Sequence, residues 1–331
     1  MSAKNAMPVG PVKAECLFTE GLLPLVMRPE AEGVDLAAWA AANRAQVEEA
    51  LLKHGAILFR DFGLAGVADC ERFTKAVAGG AMEYRERSSP RHEVGERIYT
   101  STDYPADQTI FPHNEHSYSL TVPLKLLFFC LTPARRGGET PVADCRRVLG
   151  RISPRVRERF AERGWMYVRN FGDGFGLPWQ TVFGTVDKSA VEDYCRANTI
   201  ECEWKSGDRL RTRQVRPVIA RHPRSGEEVW FNHLTFFHVT TLDPMIRDVL
   251  VASFPEEDLP NNTYYGDGSP IEQSVLDELR EAYLSELVSF TWHEGDVLLI
   301  DNMLTAHARS SFEGPRRVVV SMSDPFTRDD I

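Results

Sequence analysis

The residues that could do chemistry in this sequence are concentrated in one short segment. Phe111-Pro-His-Asn-Glu-His-Ser-Tyr118 is flanked by aromatic and β-forming residues, which favours an extended chain. Successive side chains of a strand point to opposite faces, so we expect His113 and Glu115 on one face and His116 on the other. An imidazole and a carboxylate side by side are two ligands for a divalent metal ion.

A third ligand must come from elsewhere in the chain, and His307 is the best candidate. It follows an apolar run in the segment LLIDNMLTAHARSSF. Two histidines and one carboxylate, with the remaining positions open, form the facial triad of non-heme Fe(II) oxygenases. Because the chain has nine histidines, an isolated His-x-Glu pair also arises by chance, and the assignment needs further support.

Three other motifs supply that support, although each has a plain alternative. Gly137-Gly138-Glu139-Thr140 follows an apolar run, and paired glycines let backbone and a hydroxyl approach a ligand closely, unless they form an ordinary turn. Arg316-Arg317 opens the apolar run VVVSM, where a guanidinium can pair with a ligand carboxylate or with a surface acid. Asp301-Asn302 precedes the His307 loop and either orients it or simply makes a turn.

In their order and spacing, these motifs resemble the taurine-dioxygenase family of Fe(II)/2-oxoglutarate-dependent oxygenases. The resemblance covers about residues 20–325. The segments ERSSPR, IYTSTDYPADQTI, HNEHSY, YGDGSPI and IDNMLTAH are most similar to the syringomycin-type and siderophore-type aspartyl β-hydroxylases of nonribosomal peptide pathways. The resemblance implies a mainly β fold with helical insertions, a double-stranded β-helix or jelly roll. It also implies hydroxylation of an unactivated C–H bond of an amino-acid-like substrate.

The resemblance assigns roles to individual residues. It implies that Fe(II) is held by His113, Glu115 and His307. It places Thr140 and Arg317 on the distal carboxylate of the co-substrate 2-oxoglutarate, with O2 as the other co-substrate. Arg316 is the competing choice, since neighbours on a strand face opposite ways and only one of the two arginines can point inward.

Two positions bear on the substrate that the resemblance implies. Ser321 stands where taurine-type members keep a substrate-binding arginine, which argues against a sulfonate. The carboxylate of Glu115 argues against a halogenase, in which a small residue leaves room for chloride. Weaker candidates for substrate contact are His116, Asn302 and Arg87, although Arg87 lies in a polar loop and a solvated charge is its plainer interpretation.

Composition limits the alternatives. The 331 residues are 43% hydrophobic and 26% charged, which is typical of a globular protein, and the formal charge of −10 disfavours binding to nucleic acid or anionic membranes. The sequence has no apolar run of membrane-spanning length, no apolar stretch typical of a secretory signal and no CxxC pair among its six cysteines. We therefore expect a cytoplasmic protein with reduced thiols, one domain over residues 14–331 and a flexible arm over residues 1–13.

The periodicity predicts the elements that must position the site. Helices are expected over 34–54, 67–78, 151–163, 187–197 and 271–284. Strands are expected over 56–62, 124–132, 200–204, 209–219, 229–231, 288–292, 297–300 and 317–322, with a hairpin turn at 294–296 and a polar loop over 83–107.

Partners and rival functions stay open at the level of sequence. The substrate is a small molecule or an aminoacyl group, either free or carried on a peptidyl carrier protein. Both a monomer and a homo-oligomer are compatible with the sequence. The basic stretch Lys205–Arg224 is either a docking patch for an acidic partner or a solvated strand face. The same machinery could catalyse desaturation or cyclisation, and a cupin-like metal-binding jelly roll without redox turnover is the rival from another class.

Overall fold

The long apolar runs of the sequence become the central strands of one large sheet. The computed structural model describes residues 12–18, 23–78, 82, 86, 91–101, 104–172 and 174–328. Its strands are β1 (Val12–Cys16), β2 (Leu25–Pro29), β3 (Ala56–Phe59), β4 (Glu93–Gly95), β5 (Ile98–Thr100), β6 (Ile110–His113), β7 (Thr121–Thr132), β8 (Arg136–Gly137), β9 (Val142–Asp144), β10 (Trp165–Phe171), β11 (Glu201–Trp204), β12 (Leu210–Arg216), β13 (Ile219–Arg221), β14 (Glu228–Trp230), β15 (Asn261–Tyr265), β16 (Val297–Asp301), β17 (Thr305–Arg309), β18 (Phe312–Glu313) and β19 (Arg317–Thr327).

Helices lie between and before these strands. They are α1 (Leu36–Ala42), α2 (Arg44–His54), α3 (Val67–Ala78), α4 (Cys145–Arg151), α5 (Pro154–Arg163), α6 (Trp179–Phe183), α7 (Lys188–Ala197), α8 (Leu234–Phe237), α9 (Pro244–Ser253) and α10 (Gln273–Leu284). None of the helices in the described part of the chain is long and apolar enough to cross a membrane.

The large sheet has two apolar faces that pack against different partners. Its strand order is β1-β2-β3-β16-β7-β19-β5-β4. Alternate residues such as Phe59 and Phe129 pack against helices α1–α3. The opposite face, which includes Phe128, packs against the small sheet β6-β17-β9, where the ring centroids of Phe128 and His307 lie 5.0 Å apart. Two facing layers of β-strands with helical insertions confirm the predicted jelly roll and fold class.

A second layer of structure covers one end of the small sheet. The sheet β11-β12-β10-β15 packs with helices α4, α5 and α10 around large buried aromatics, among them Trp165 and Trp230. Helix α8 contacts β15, β10 and β6 and so carries the sequence WFNHLTFFH up to the small sheet.

Several local predictions need correction. The helix expected over 34–54 is two helices, which meet at Asn43. The second helix ends at Gly55, whose backbone is left-handed, so the predicted end of the helix is correct. The polar segment 83–107 contains β4 and β5 in its described part. Residues 288–292 form no strand, only a bridge from Val288 to Val142, so the expected hairpin at 294–296 is absent.

The N-terminal boundary differs slightly from the prediction. Residues 1–11 of the expected arm lie outside the described residues, and Val12 and Lys13 already pair with β2. The single domain over residues 14–331 stays a prediction.

The basic stretch 205–224 is not an unneutralised patch, because the fold supplies partners for its charges. Lys205 and Arg211 both bind Asp258 at 2.6 Å, and Arg213 pairs with Glu201 and Glu203 across the β11–β12 ladder. Arg221 pairs with Glu228, Arg224 pairs with Glu48, and Arg216 is buried against backbone carbonyls. The alternating arginines are thus largely committed to the protein itself.

Candidate metal centre and the cavities around it

The register of the small sheet brings two histidines together. His307 on β17 lies directly opposite His113 on β6, and their ring centroids are 4.3 Å apart. One donor atom each from His113, Glu115 and His307 lies within 4.8 Å of the others, and all three residues are buried. Sequence segments almost two hundred residues apart therefore form one three-donor cluster.

Glu115 reaches this cluster by a turn, not by strand alternation. Strand β6 ends at His113, and residues 115–118 form a turn in which His116 has a left-handed φ of 57°. The extended segment predicted up to Tyr118 is therefore wrong in its second half. The turn still places the Glu115 carboxylate beside the His113 imidazole, which is the outcome that the alternation argument expected.

Asn302 holds the Glu115 turn in place. Its side chain accepts a hydrogen bond from the Glu115 backbone N–H and donates to the carbonyls of Glu115 and Pro123. The side chain of Asn114 donates in turn to the Asn302 carbonyl at 2.7 Å. The preceding residue, Asp301, accepts from the backbone N–H groups at 303 and 304 and so shapes the loop that leads to His307.

Electrostatics favour a neutral imidazole pair and an ionised carboxylate. Burial lowers the pKa of His113 and, more strongly, of His307, so both rings keep a free lone pair at neutral pH. Burial alone would raise the pKa of Glu115, but the Arg91 guanidinium and the nearby imidazoles, first that of His116, hold it well below its ordinary value. Arg91 Nη2 donates to Glu115 Oε2 at 2.6 Å, with both side chains nearly inaccessible to solvent.

The donor set fits a divalent transition metal such as Fe(II). His113 Nδ1 donates to the Phe111 carbonyl at 2.9 Å, which fixes the tautomer and leaves Nε2 as a metal donor. His307 Nδ1 is buried and has no hydrogen-bond partner among the described residues. Two imidazole nitrogens and one carboxylate oxygen are the ligand types that non-heme Fe(II) takes.

A cationic cavity adjoins the two histidines. Its described lining includes Arg91, Arg309 and Arg316, together with Thr140, and no carboxylate. Burial lowers the pKa of Arg316 to about 10, which still leaves it charged at neutral pH. A buried cavity with this charge suits a small dianion.

Within the arginine pair, the structure places Arg316 in this cavity and leaves Arg317 exposed. The expectation that Arg317 points inward is therefore corrected. Along strand β19, successive side chains point to opposite faces of the sheet. Val318 and Val320 face the small sheet, as Arg316 does, whereas Arg317 points to the other face. The same offset moves Ser321 out of the site, because Val320 lines the cavity instead.

Thr140 lines the cavity together with Arg316, and Gly138 packs against the Arg316 side chain. Gly138 has φ of +75°, and a Cβ on it would lie 3.0 Å from the Arg316 side chain, whose Nε donates to the Gly138 carbonyl. Thr140 Oγ1 accepts from Trp292 Nε1 at 3.2 Å, which leaves its own hydroxyl proton for a ligand. The close approach predicted for the glycine pair is thus an approach of Gly138 to Arg316 and of Gly137 to the Ser311 backbone.

A larger cleft of about 590 Å³ opens on the other side of the cluster. It shares His113 and Arg91 with the cationic cavity, so the candidate metal centre lies where the two spaces meet. Its lining mixes apolar side chains, including Phe111 and Phe236, with polar groups such as Asp107 and Asn261. This is the composition of a pocket for an organic ligand.

The weaker candidates for substrate contact fare differently. Arg87 lies outside the described residues. His116 is buried, stacks on Tyr118 and lines neither cavity, and burial lowers its pKa to about 4. Asn302 is fully buried and bonded to backbone, so it serves the Glu115 turn and not the cleft.

Sequence reasoning missed one residue beside the cluster and favoured a different role for another. Arg91 was overlooked because it lies in a polar loop whose fold no periodicity reveals. For His233, the sequence favours core packing and leaves substrate contact as the alternative. His233 lines the cleft, and its ring lies 5.2 Å from that of His113. Its Nδ1 shares a 2.6 Å hydrogen bond with Ser117, and only its place in the aromatic run WFNHLTFFH could have signalled it.

A jelly roll with such a donor set beside a dianion-binding cavity is the architecture of the non-heme oxygenases that use 2-oxoglutarate. The chain belongs to the taurine catabolism dioxygenase TauD/TfdA family, whose profile matches residues 20–322. It is therefore a 2-oxoglutarate-dependent dioxygenase that uses Fe(II), 2-oxoglutarate and O2, as the resemblance predicted.

Individual relatives support this membership. The dapdiamide synthesis protein DdaC of Enterobacter agglomerans is 42% identical over 279 residues, which are 84% of this chain and 85% of that protein. A clavaminate synthase-like protein of Arabidopsis thaliana is 29% identical over 286 residues, 83% of each chain.

Solved structures share the fold at low identity. PvcB from Pseudomonas aeruginosa superposes with a TM-score of 0.58 and 17% identity, covering 97% of this chain and 95% of that one. AAD-2 in complex with Mn(II) and N-oxalylglycine gives a TM-score of 0.54 and 13% identity, with 94% and 96% of the two chains covered.

Proposed function

We propose that this enzyme hydroxylates an unactivated C–H bond of an amino-acid-like group in the biosynthesis of a specialised, peptide-like metabolite. The similarity to DdaC, a dapdiamide synthesis protein, carries the biosynthetic part of the proposal. The three-donor cluster between two cavities carries the chemical part.

In this proposal each part of the site has a distinct task. His113, Glu115 and His307 hold Fe(II), and Arg316 and Thr140 hold the distal carboxylate of 2-oxoglutarate in the cationic cavity. Bound together, the metal and co-substrate supply oxidative decarboxylation of the 2-oxo acid and transfer of one oxygen atom to a C–H bond. The protein orients the reactants, and its buried walls exclude water.

The dimensions of the cleft favour a substrate larger than a free amino acid. A volume of about 590 Å³ lies in the range of pockets that bury drug-sized ligands. The cleft combines apolar walls with Asp107 and Asp243 near its exposed rim, and with Arg91 deep inside. We infer that the amino-acid-like group is part of a longer molecule, such as an amide-linked dipeptide or an aminoacyl group on a carrier.

A carrier-tethered aspartyl group remains one form of this substrate, but the basic strand does not support it. The charges of that strand are compensated within the fold, as described above. The volume and lining of the cleft do not distinguish a free amide from a tethered group, so the two forms must be compared directly.

The test is anaerobic titration with Fe(II) and 2-oxoglutarate, followed by a screen for succinate release. The screen should include free amino acids, amide-linked dipeptides and aminoacyl carrier proteins, with mass spectrometry of each product. A gain of one oxygen supports hydroxylation, and a loss of two hydrogens indicates desaturation or cyclisation. Metal binding without any 2-oxoglutarate-dependent succinate release would contradict the proposal and favour a non-redox metal-binding protein.

We also propose that the enzyme works in the cytoplasm. All six cysteines are free and four of them are buried, which suits a reducing compartment. Cell fractionation with an antibody to the native protein tests this directly.

A further inference from the structure

Arg309 connects the strand of a proposed metal ligand to one wall of the cleft. It lies two residues after His307 on β17 and is 7% exposed. Its guanidinium donates to three backbone carbonyls of a single loop. Nη1 donates to the Tyr104 carbonyl at 2.9 Å, and Nη2 donates to the carbonyls of Pro105 and Gln108 at 2.6 and 2.7 Å.

That loop, residues 104–108, has no regular secondary structure of its own. Tyr104, Asp107 and Gln108 line the cleft. Apart from Arg309, a backbone hydrogen bond from the Phe312 N–H to the Ala106 carbonyl ties the loop to the body of the protein. The position of this wall therefore depends heavily on one guanidinium.

The other side of Arg309 faces the cationic cavity, where it lies close enough to Arg316 to lower the pKa of that residue. Among the described residues, Arg309 forms no hydrogen bond or ion pair with a carboxylate, and its guanidinium donates to backbone carbonyls. One side of the Arg309 guanidinium would then face a dianion in this cavity. Its other side is held by the loop carbonyls.

We propose that Arg309 is a positioning residue that couples the occupancy of the co-substrate cavity to the order of the substrate wall. The inference rests on the proposed function, because it takes 2-oxoglutarate as the ligand of the cavity. A bound dianion fixes the guanidinium, and the fixed guanidinium holds loop 104–108 at a set distance from the metal ligands. The cleft is then complete only when the co-substrate is in place.

The chemistry of the side chain explains why an arginine is needed. A planar guanidinium presents five donors in a rigid fork and can satisfy three carbonyls at once. A lysine has three donors on a single nitrogen at the end of a flexible stem and cannot reach the same three acceptors together. Arg309→Lys is therefore expected to keep part of the coupling, and Arg309→Met none of it.

Amide hydrogen exchange of the full chain tests the inference without a known substrate. Wild type, Arg309→Met, Arg309→Lys and the control Arg213→Met are compared with Mn(II) alone and with Mn(II) plus 2-oxoglutarate. We expect 2-oxoglutarate to slow exchange in residues 104–110 of the wild type and of the control. In Arg309→Met the same amides should exchange about tenfold faster and no longer respond to 2-oxoglutarate, with Arg309→Lys intermediate.

A spectroscopic measurement distinguishes a failure of the proposed function from a failure of the role proposed for Arg309. Anaerobic absorption of the Fe(II) and 2-oxoglutarate complex reports whether the co-substrate binds at all. Absence of that complex in the wild type would contradict the proposed function. A normal complex together with wild-type exchange of residues 104–110 in Arg309→Met would overturn the role of Arg309 alone. If Arg309→Met does not fold, the same comparison of exchange in Arg309→Lys decides.

Discussion

The side chain of Asn302 and the backbone of Glu115 exchange two hydrogen bonds, each 2.8 Å long. Asn302 lies five residues before His307, so this pair joins the two segments that carry the proposed metal ligands. Because Glu115 is on a turn and not on a strand, no ladder of backbone hydrogen bonds fixes its position. The amide of Asn302 takes the place of that ladder.

Replacing Asn302 by Ala should therefore weaken metal binding although Asn302 touches no metal. The change leaves buried backbone groups of Glu115 and Pro123 unsatisfied, and loss of such supporting contacts typically costs about 10–100-fold in metal affinity. Anaerobic titration with Fe(II) measures the effect. Asn198→Ala, which also removes an amide bonded to a backbone carbonyl, is the control. Unchanged affinity in the Asn302 variant would show that the turn holds itself.

The three proposed ligands should behave as one unit. His113→Ala, Glu115→Ala and His307→Ala should each abolish turnover and weaken Fe(II) binding, because a three-ligand set has no spare donor. His238→Ala, which removes a buried histidine from outside the cluster, should retain metal binding. Full activity in the Glu115→Ala protein would refute the assignment of the facial triad.

Replacements of Arg316 and Arg317 should differ strongly in their effect on the requirement for 2-oxoglutarate. Arg316→Ala should raise the apparent KM for 2-oxoglutarate strongly, an effect of roughly 2–5 kcal/mol for loss of a buried charged partner. Thr140→Val should cost about 1 kcal/mol, the value of one hydrogen bond. Arg317→Ala should change little, since that side chain is exposed. The reverse ranking of the two arginines would mean that strand β19 is shifted by one residue.

The difference between the two arginines shows what the sequence could and could not predict. The enzyme class and the jelly roll were predictable, because the motifs and apolar runs occur in a fixed order. The choice between Arg316 and Arg317 was not, because it depends on the register of β19 against β7, which shifts at Arg317/Val318. The roles of Arg91 and Arg309 could not be predicted either, because their partners lie in loops whose path depends on tertiary contacts.

The cysteines should differ strongly in reactivity. Burial raises the pKa of the Cys130 and Cys145 thiols to about 12, so neither forms appreciable thiolate near pH 8. Cys16 is the exposed thiol among the six. Brief alkylation of the native protein followed by peptide mass spectrometry should therefore label Cys16 first, and Cys16→Ser should remove the fast phase. Rapid labelling of Cys145 would indicate that the core opens readily.

The last prediction concerns the basic strand and the carrier-protein alternative. Arg213 is partly exposed and pairs with Glu201 and Glu203 on the neighbouring strand. Exposed pairs of this kind contribute about 0–1 kcal/mol, so Arg213→Ala should lower thermal stability slightly. Arg213→Glu should lower it further, because three like charges would then face one another across the ladder.

Neither change should alter the ratio of turnover between a carrier-tethered substrate and the same group as a free amide, since the charge of Arg213 is already compensated. The measurement is product mass spectrometry for both substrates at low and high salt, beside thermal unfolding of each variant. A selective, salt-dependent loss of tethered turnover in Arg213→Glu would instead establish this strand as a docking surface for an acidic carrier, because steering by complementary charge weakens as salt screens it.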